Sequence, residues 1–148
     1  MVRYWLSLLV FGVGFAFAII TVGGTGSTFL VYLNLPSFIL VGLIPFCIAG
    51  TIFGPRNMTS AFSVLRKKET DKEKLQEAYD FFKAFGKMAW IMGIIGVITG
   101  IVTMLVNLED TAAIGPNLAL SLISILYSGI INIVLVIPFM VLIKQKLK

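Results

Sequence analysis

Two rows of small and hydroxyl-bearing residues are the parts of the sequence with the most chemical potential. At about 100° per residue, the members of each row fall within a narrow arc on one face of an α-helix. The first row consists of Gly96, Thr99, Gly100, Thr103 and Asn107. The second row consists of Ser121, Ser124, Ser128 and Asn132.

These rows have two interpretations. Small residues allow two helix backbones to approach closely, and hydroxyl groups can then bond across the gap. Alternatively, the same residues line a pathway or receive a helix from a partner. The two are compatible in an oligomer whose helices surround a central helix, so both stay open.

Composition excludes most other chemistry. The 148 residues contain no His and one Cys, which excludes a Ser-His-Asp triad, disulfides within the chain, and His- or Cys-rich metal sites. No pairing of a nucleophile with a base is apparent, so we predict neither an enzyme nor a bound cofactor or metal. The net charge of +5 would indicate nucleic acid only if the basic residues formed a surface stripe.

Four long apolar runs must position the two rows. The chain is 58% hydrophobic and only 13% charged, so such runs are expected to face lipid. None of them contains Asp, Glu, Lys or Arg. We therefore predict an all-α membrane protein, with residues 1–148 forming a single membrane domain. The predicted spans are residues 4–22, 37–53, 88–106 and 115–143, with a loop at 54–87.

The charges between the runs predict the orientation. Arg3 precedes the first run, eight basic residues lie between the second and third, and three lysines follow the fourth. The third connection holds only Glu109 and Asp110. All 12 basic residues thus fall on one side of a four-span topology. By the positive-inside rule, both termini and the middle loop are cytoplasmic, and nucleic acid is not an expected partner.

The first run also has features of a signal peptide. Arg3, an apolar stretch and the triplet Ala16-Phe17-Ala18 are typical of a cleavable leader. Cleavage would leave three spans and break the one-sided charge pattern. We therefore expect the segment to be retained as a span.

The middle loop contains a predicted helix. Thr70 and Glu73 fit a capping box, with Thr70 as the N-cap. An amphipathic pattern follows and continues into the third span, which indicates a short cytoplasmic helix leading into it. That helix either packs on its neighbours or docks a partner. Its apolar positions are Leu75, Ala78, Tyr79, Phe82, Phe85 and Ala89.

Two prolines mark the fourth run. Pro116 follows Gly115 and is expected to start the helix, because proline is favoured in a first turn. Pro138 lies near the other end of the run, where we expect a kink.

Two stretches of the sequence resemble the MotA/TolQ/ExbB proton-channel family. The first runs from Leu35 to Gly42, following Gly23-Gly24. The second runs from Gly93 through Glu109-Asp110 to the Ile114-Gly115-Pro116 triplet, and on to Tyr127-Ser128-Gly129. The similarity is closest to the flagellar stator branch, MotA, with a much reduced cytoplasmic domain.

The resemblance implies partners and an ion. Members of this family form pentamers around a dimer of a single-span MotB/ExbD-type protein, whose membrane aspartate binds the ion. The family's threonine in span four aligns with Ile125, so the resemblance favours protons over sodium. The implied partner-facing and ion-path residues are Gly96, Thr99, Gly100, Thr103, Ser121, Ser124 and Ser128, with Ser124 the hydroxyl nearest the partner carboxylate.

The function expected from the sequence is therefore a subunit of an ion-driven stator or rotary motor in the bacterial inner membrane. It would oligomerise, as a pentamer by the resemblance, around a partner that supplies the aspartate. A non-conducting scaffold or assembly protein derived from the same family is the alternative.

Overall fold

The computed structural model describes residues 2–23, 32–63, 71–106 and 108–147, and its regular elements are helical. These residues fall into two units, Met1–Leu35 and Pro36–Lys148. A single domain over the whole chain stays a prediction, and so does the count of four spans.

The first unit is built on one helix, α1 (Val2–Gly23). Large apolar side chains, including Leu9, Val13 and Phe17, are exposed along one side of it, and residues 8–20 carry apolar or small side chains on the other sides as well. A helix that is apolar all round is suited to lipid rather than to water. Near the end of the helix, Thr21 donates its hydroxyl to the carbonyls of Phe17 and Ala18, so that it presents little polarity to the surroundings.

The second unit contains six α-helices and two short π-helical segments within the described residues. Three continuous helical stretches in it are long and apolar enough to cross a membrane, namely Leu35–Phe53, Lys72–Val106 and Thr111–Leu147; a shorter apolar stretch, Leu8–Thr21, belongs to α1. The helices are α2 (Leu35–Phe38), α3 (Ile44–Phe53), α4 (Pro55–Ser63), α5 (Lys72–Val106), α6 (Thr111–Ile131) and α7 (Ile137–Leu147).

The longest helix, α5, is the element against which the rest of the unit packs. Its 35 residues span about 52 Å at 1.5 Å per residue. It contacts α3, α4, α6 and α7. Asp71 precedes its first residue, and the Asp71 side chain accepts a hydrogen bond from the backbone N–H of Glu73. Asp71 is therefore the N-cap in the structure, whereas the predicted cap, Thr70, lies outside the described residues.

The predicted loop at residues 54–87 is helical at both of its ends. Gly54 has a φ of +84°, a value that favours glycine, and it separates α3 from α4. The helix α4 then starts with Pro55, as expected for a proline in a first turn. The sequence analysis did not predict α4, although the Gly-Pro pair was a signal for it. At the other end, α5 continues without a break from residue 72 into the third apolar run.

Seven phenylalanines from four helices form an aromatic cluster. They come from α3, α4, α7 and the third and fourth turns of α5, and their rings meet at centroid distances of 4.9–6.4 Å, mostly edge to face. Such geometry is favourable for aromatic pairs. Phe81 and Phe82 are almost completely buried. The cluster consists of Phe46, Phe53, Phe62, Phe81, Phe82, Phe85 and Phe139.

The helix α6 begins earlier than the sequence predicted. It starts at Thr111, and the side chain of Asp110 caps it by accepting a hydrogen bond from the backbone N–H of Ala112 at 3.2 Å. Pro116 therefore lies inside the helix and does not start it, which corrects the expectation for this residue. The reason is that an Asp N-cap contributes about 1 kcal/mol to helix stability, and it stands more than one turn before the proline.

Two π-helical segments interrupt the second and the last of the long apolar runs. They are Ile39–Leu43 and Asn132–Val136. In each, the backbone N–H of the next residue bonds to a carbonyl five residues back, from Ile44 to Ile39 and from Ile137 to Asn132. A proline follows one residue later in both cases, at Pro45 and Pro138. The widened turn lies on the side where the proline ring would otherwise clash with the preceding turn.

An apolar cavity of about 410 Å³ lies beside both π segments. Residues of the two segments line it together with rings of the aromatic cluster, including Gly42, Val134 and Phe85. The described lining is entirely apolar, so the cavity can accept only apolar groups.

Candidate functional site: the contact between the two polar rows

The two rows of small residues face each other across α5 and α6. Each of three glycines on α5 lies against a serine on α6, so a side chain added at the glycine would collide with that serine. A Cβ at Gly96 would lie 2.5 Å from Ser124 Cβ, and one at Gly93 would lie 2.8 Å from Ser128 Cβ. One at Gly100 would overlap Ser121. The backbones therefore approach as closely as only glycine allows.

The same contact continues further along the helices. A Cβ at Gly86 would lie 2.7 Å from Asn132 Oδ1. The Asn132 amide donates to the carbonyl of Ser128 at 2.9 Å and to that of Gly86 at 3.4 Å. Asn132 is the first residue of the second π segment, so this side chain ties the irregular turn to α5.

A buried pair of hydroxyls joins a third helix to this contact. Ser37 on α2 and Ser124 on α6 lie 3.1 Å apart through their Oγ atoms, and both are buried. Leu40 packs beside them, since a Cβ at Gly96 would lie 3.1 Å from Leu40 Cδ2. The sequence analysis gave Ser37 no role; the signal for it was a hydroxyl residue at the start of an apolar run, just after Pro36.

The predicted partner-facing residues separate into two groups. Three are buried serines, and two glycines lie against them between α5 and α6: Gly96, Gly100, Ser121, Ser124 and Ser128. Thr99 and Thr103 are instead exposed on another side of α5. Asn107, the last member of the first row, lies outside the described residues.

Hydroxyl groups in both groups of residues donate hydrogen bonds to carbonyls of their own helix. Thr99 and Thr103 donate to the carbonyls of Ile95 and Thr99, at 2.8 and 2.9 Å. Ser121 and Ser128 likewise donate to carbonyls three residues back in α6. A hydroxyl oxygen that donates its proton to a carbonyl still carries acceptor lone pairs. The exposed threonines therefore offer acceptor oxygens on the surface of a long apolar helix.

The site has no titratable acid or base of its own. The predicted spans contain no Asp, Glu, Lys, Arg or His. Over the ranges that the structure describes, no group of three His, Cys, Asp or Glu residues could hold a metal ion. The chemistry available at the contact is thus limited to hydroxyls, one carboxamide and backbone carbonyls.

Comparison with known proteins identifies a family and several relatives. The sequence model of the MotA/TolQ/ExbB proton channel family matches residues 47–148. The chemotaxis protein PomA of Vibrio alginolyticus is 39% identical over 66 residues, which cover 45% of this chain and 26% of that protein. Motility protein A of Borreliella burgdorferi is 39% identical over 59 residues, covering 40% and 23%.

A third relative gives the same picture. Motility protein A of Aquifex aeolicus is 36% identical over 72 residues, 49% of this chain and 26% of its own length. The matched segment thus spans about a quarter of each of these relatives. The family is one of proton channels rather than of enzymes. Together with its long apolar helices, these matches establish that the chain is an integral membrane protein of the MotA/TolQ/ExbB proton channel family.

Proposed function

We propose that this chain is a subunit of a proton-driven stator or rotary motor complex. It acts as a homo-oligomer, with five copies around a dimer of a MotB/ExbD-like single-span partner. The complex lies in the bacterial inner membrane, with both termini of this chain cytoplasmic. Membership of a proton channel family supports this proposal, as do relatives named for motility and chemotaxis.

The absence of charge in the spans is the reason for a partner. Ionisable residues within a membrane mark proton and ion pathways, because a proton needs a group that can bind and release it. The predicted spans of this chain contain none. A single aspartate from a partner helix supplies that group in the proposed complex, and this chain provides the polar surface beside it.

The observation that carries the proposal is the exposed pair Thr99 and Thr103. These residues are four apart, so their oxygens lie on one side of α5 about 6 Å apart along the helix axis. Each hydroxyl proton is engaged with its own helix. The oxygens are therefore suited to accept a hydrogen bond from a protonated partner carboxyl as it passes. The buried serines, by contrast, would hold α5 and α6 together behind this surface.

Proton flux through the reconstituted complex tests the proposal. We expect the double variant Thr99→Val/Thr103→Val to reduce partner-dependent flux into liposomes about two- to tenfold, because a hydrogen bond between neutral groups contributes about 0.5–1.5 kcal/mol. Thr51→Val is the matched control, since Thr51 is also exposed and also donates to a carbonyl of its own helix. Equal flux in both variants would refute the role of the threonines, and a monomer that purifies without any second chain would refute the complex.

A non-conducting scaffold from the same family is the second candidate. The hydrogen bond between Ser124 and Ser37 favours it. Ser124 carries the hydroxyl expected nearest to a partner carboxylate, and that hydroxyl is already bonded within this chain. A scaffold would still oligomerise and bind the partner, but liposomes containing the complex would show no flux above those without it. Partner-dependent flux would exclude this candidate.

A further inference from the structure

Three acidic residues lie on the side of α5 that faces away from α7. Phe82 marks the side towards α7, because its ring centroid lies 4.9 Å from that of Phe139. At about 100° per residue, Glu73, Glu77 and Asp80 lie roughly 140–180° around α5 from Phe82. Glu73 is exposed, and the other two are partly exposed. We call these three residues the acidic surface.

The side of α7 that faces away from α5 carries the opposite charge. Lys144 lies about 140° around α7 from Phe139. It is exposed, and it follows the exposed side chains of Ile137 and Val141 on the same side of the helix. The acidic surface and Lys144 therefore lie on opposite sides of the pair formed by α5 and α7.

The two charged surfaces lie at the same height along these helices. The helices α5 and α7 run antiparallel, with Phe82 and Phe139 level with each other. Glu77 precedes Phe82 by five residues and Lys144 follows Phe139 by five, which moves both about 7.5 Å in the same direction. Opposite charges are thus level, but one copy of the chain cannot bring them together.

Neither surface is neutralised by its own chain over the residues that the structure describes. There, none of the acidic surface and Lys144 has an ion-pair partner, although Asp80 accepts a hydrogen bond from Gln76. Lys72 and Lys74 lie about 100° to either side of Glu73 around the helix. Lys83 follows Asp80 by three residues without forming an ion pair with it.

We propose that the acidic surface of one copy of this chain pairs with Lys144 of the next copy. This inference rests on the homo-oligomer of the proposed function. Copies that cross one bilayer in the same orientation lie at the same depth, so level surfaces on opposite sides meet head to tail. Repeated head-to-tail contacts can close into a ring, whereas a twofold contact would bring the acidic surface against itself.

The pairing sets which surfaces meet more than it supplies energy. Exposed ion pairs contribute little to stability, because water and salt screen them. Complementary charges nevertheless fix the register of an interface, since the wrong register brings like charges together.

Disulfide cross-linking of the full chain in membranes tests the proposal. In a Cys47→Ala background, which removes the one cysteine, Glu77→Cys/Lys144→Cys should give a ladder of species from the dimer upwards, because each copy reacts with two neighbours. Either cysteine substitution alone should leave the chain monomeric on the gel. Lys72→Cys/Lys144→Cys is the matched control and should cross-link far less, since Lys72 is exposed but lies about 140° around α5 from Glu77.

Native mass spectrometry of the same variants separates the possible failures. An oligomer that gives no ladder from Glu77→Cys/Lys144→Cys would overturn the pairing but leave the proposed function standing, with another chain against the acidic surface. Dimers from Glu77→Cys alone would indicate a twofold contact and would also overturn it. A monomer would overturn both the pairing and the proposed complex.

Charge reversal measures the same contact without cysteine chemistry. Glu77→Lys or Lys144→Glu should weaken the association of copies in detergent about two- to fivefold, the range expected for an exposed ion pair. The double variant Glu77→Lys/Lys144→Glu should restore it, because the opposite charges again face each other. If the double variant is as weak as the two single variants combined, these side chains do not meet.

Discussion

The aromatic cluster and the contact between α5 and α6 hold the second unit together by opposite means. The aromatic cluster fills space with large rings, and Phe82 at its centre is completely buried. The contact between α5 and α6 instead removes side-chain volume, so that the backbones themselves meet at Gly93, Gly96 and Gly100. The aromatic cluster is stabilised by the packing of large side chains. The contact between α5 and α6 is stabilised by a close backbone approach that the absence of side chains at the glycines allows.

The difference follows from the solvent expected around each region. Four rings of the aromatic cluster come from residues 54–87, outside the predicted spans, where burying rings from water is strongly favourable. They are Phe62, Phe81, Phe82 and Phe85. The glycines and serines lie inside the apolar runs, where lipid tails are as apolar as the protein. Association there depends on close packing and hydrogen bonds instead of the hydrophobic effect.

The largest expected effect is the removal of a ring from the aromatic cluster. Phe82→Ala should lower the free energy of unfolding by about 3–5 kcal/mol, because it leaves a cavity among the rings of Phe62, Phe81 and Phe139. Phe17→Ala on α1 is the control, since Phe17 is 66% exposed. Denaturation in mild detergent measures both, and similar losses would show that the aromatic cluster adds no special stability.

The second-largest expected effect on the free energy of unfolding comes from adding one methyl group to the contact between α5 and α6. Gly100→Ala should cost about 1–3 kcal/mol, since the new Cβ would overlap Ser121 and force the helices apart. Gly129→Ala on α6 is matched, because a Cβ there would meet nothing within 4 Å. The measurement is the same denaturation series. A Gly100 variant as stable as the Gly129 variant would mean that the close approach does not exist.

The smallest effect is the loss of the hydroxyl pair. A double-mutant cycle with Ser37→Ala and Ser124→Ala should give a coupling energy of about 0.6 kcal/mol, the average for hydrogen bonds between membrane helices. Alanine keeps the Cβ, so packing against Gly96 is unchanged and only the hydroxyls are removed. A coupling energy of zero would show that the hydroxyl pair does not hold α2 against the contact between α5 and α6.

Sequence periodicity predicted the faces of the helices better than their ends or partners. The row of Ser121, Ser124 and Ser128 was predictable directly, because helical geometry is local. Its contact with glycines of the same chain was one of two interpretations that the sequence left open, since a small-residue row fits a partner helix as well. The start of α6 was misplaced because Asp110 and Pro116 both signal a helix start, and only the folded chain shows that the aspartate caps it.

The π segments make the count of residues in these helices as important as their types. Each wide turn holds one residue more than an α-helix would need, so everything beyond it is rotated by about 100° relative to a regular continuation. If the wide turn at Ile39–Leu43 became a regular α-helical turn with no residue removed, Phe46 would therefore turn away from Phe81 and Phe85. Deleting one residue from Ile39–Leu43 would remove the extra residue together with the wide turn, so Phe46 would keep its direction, but Pro45 would then clash with a regular preceding turn. The number of residues between Ser37 and Phe46 and the width of this turn therefore have to match.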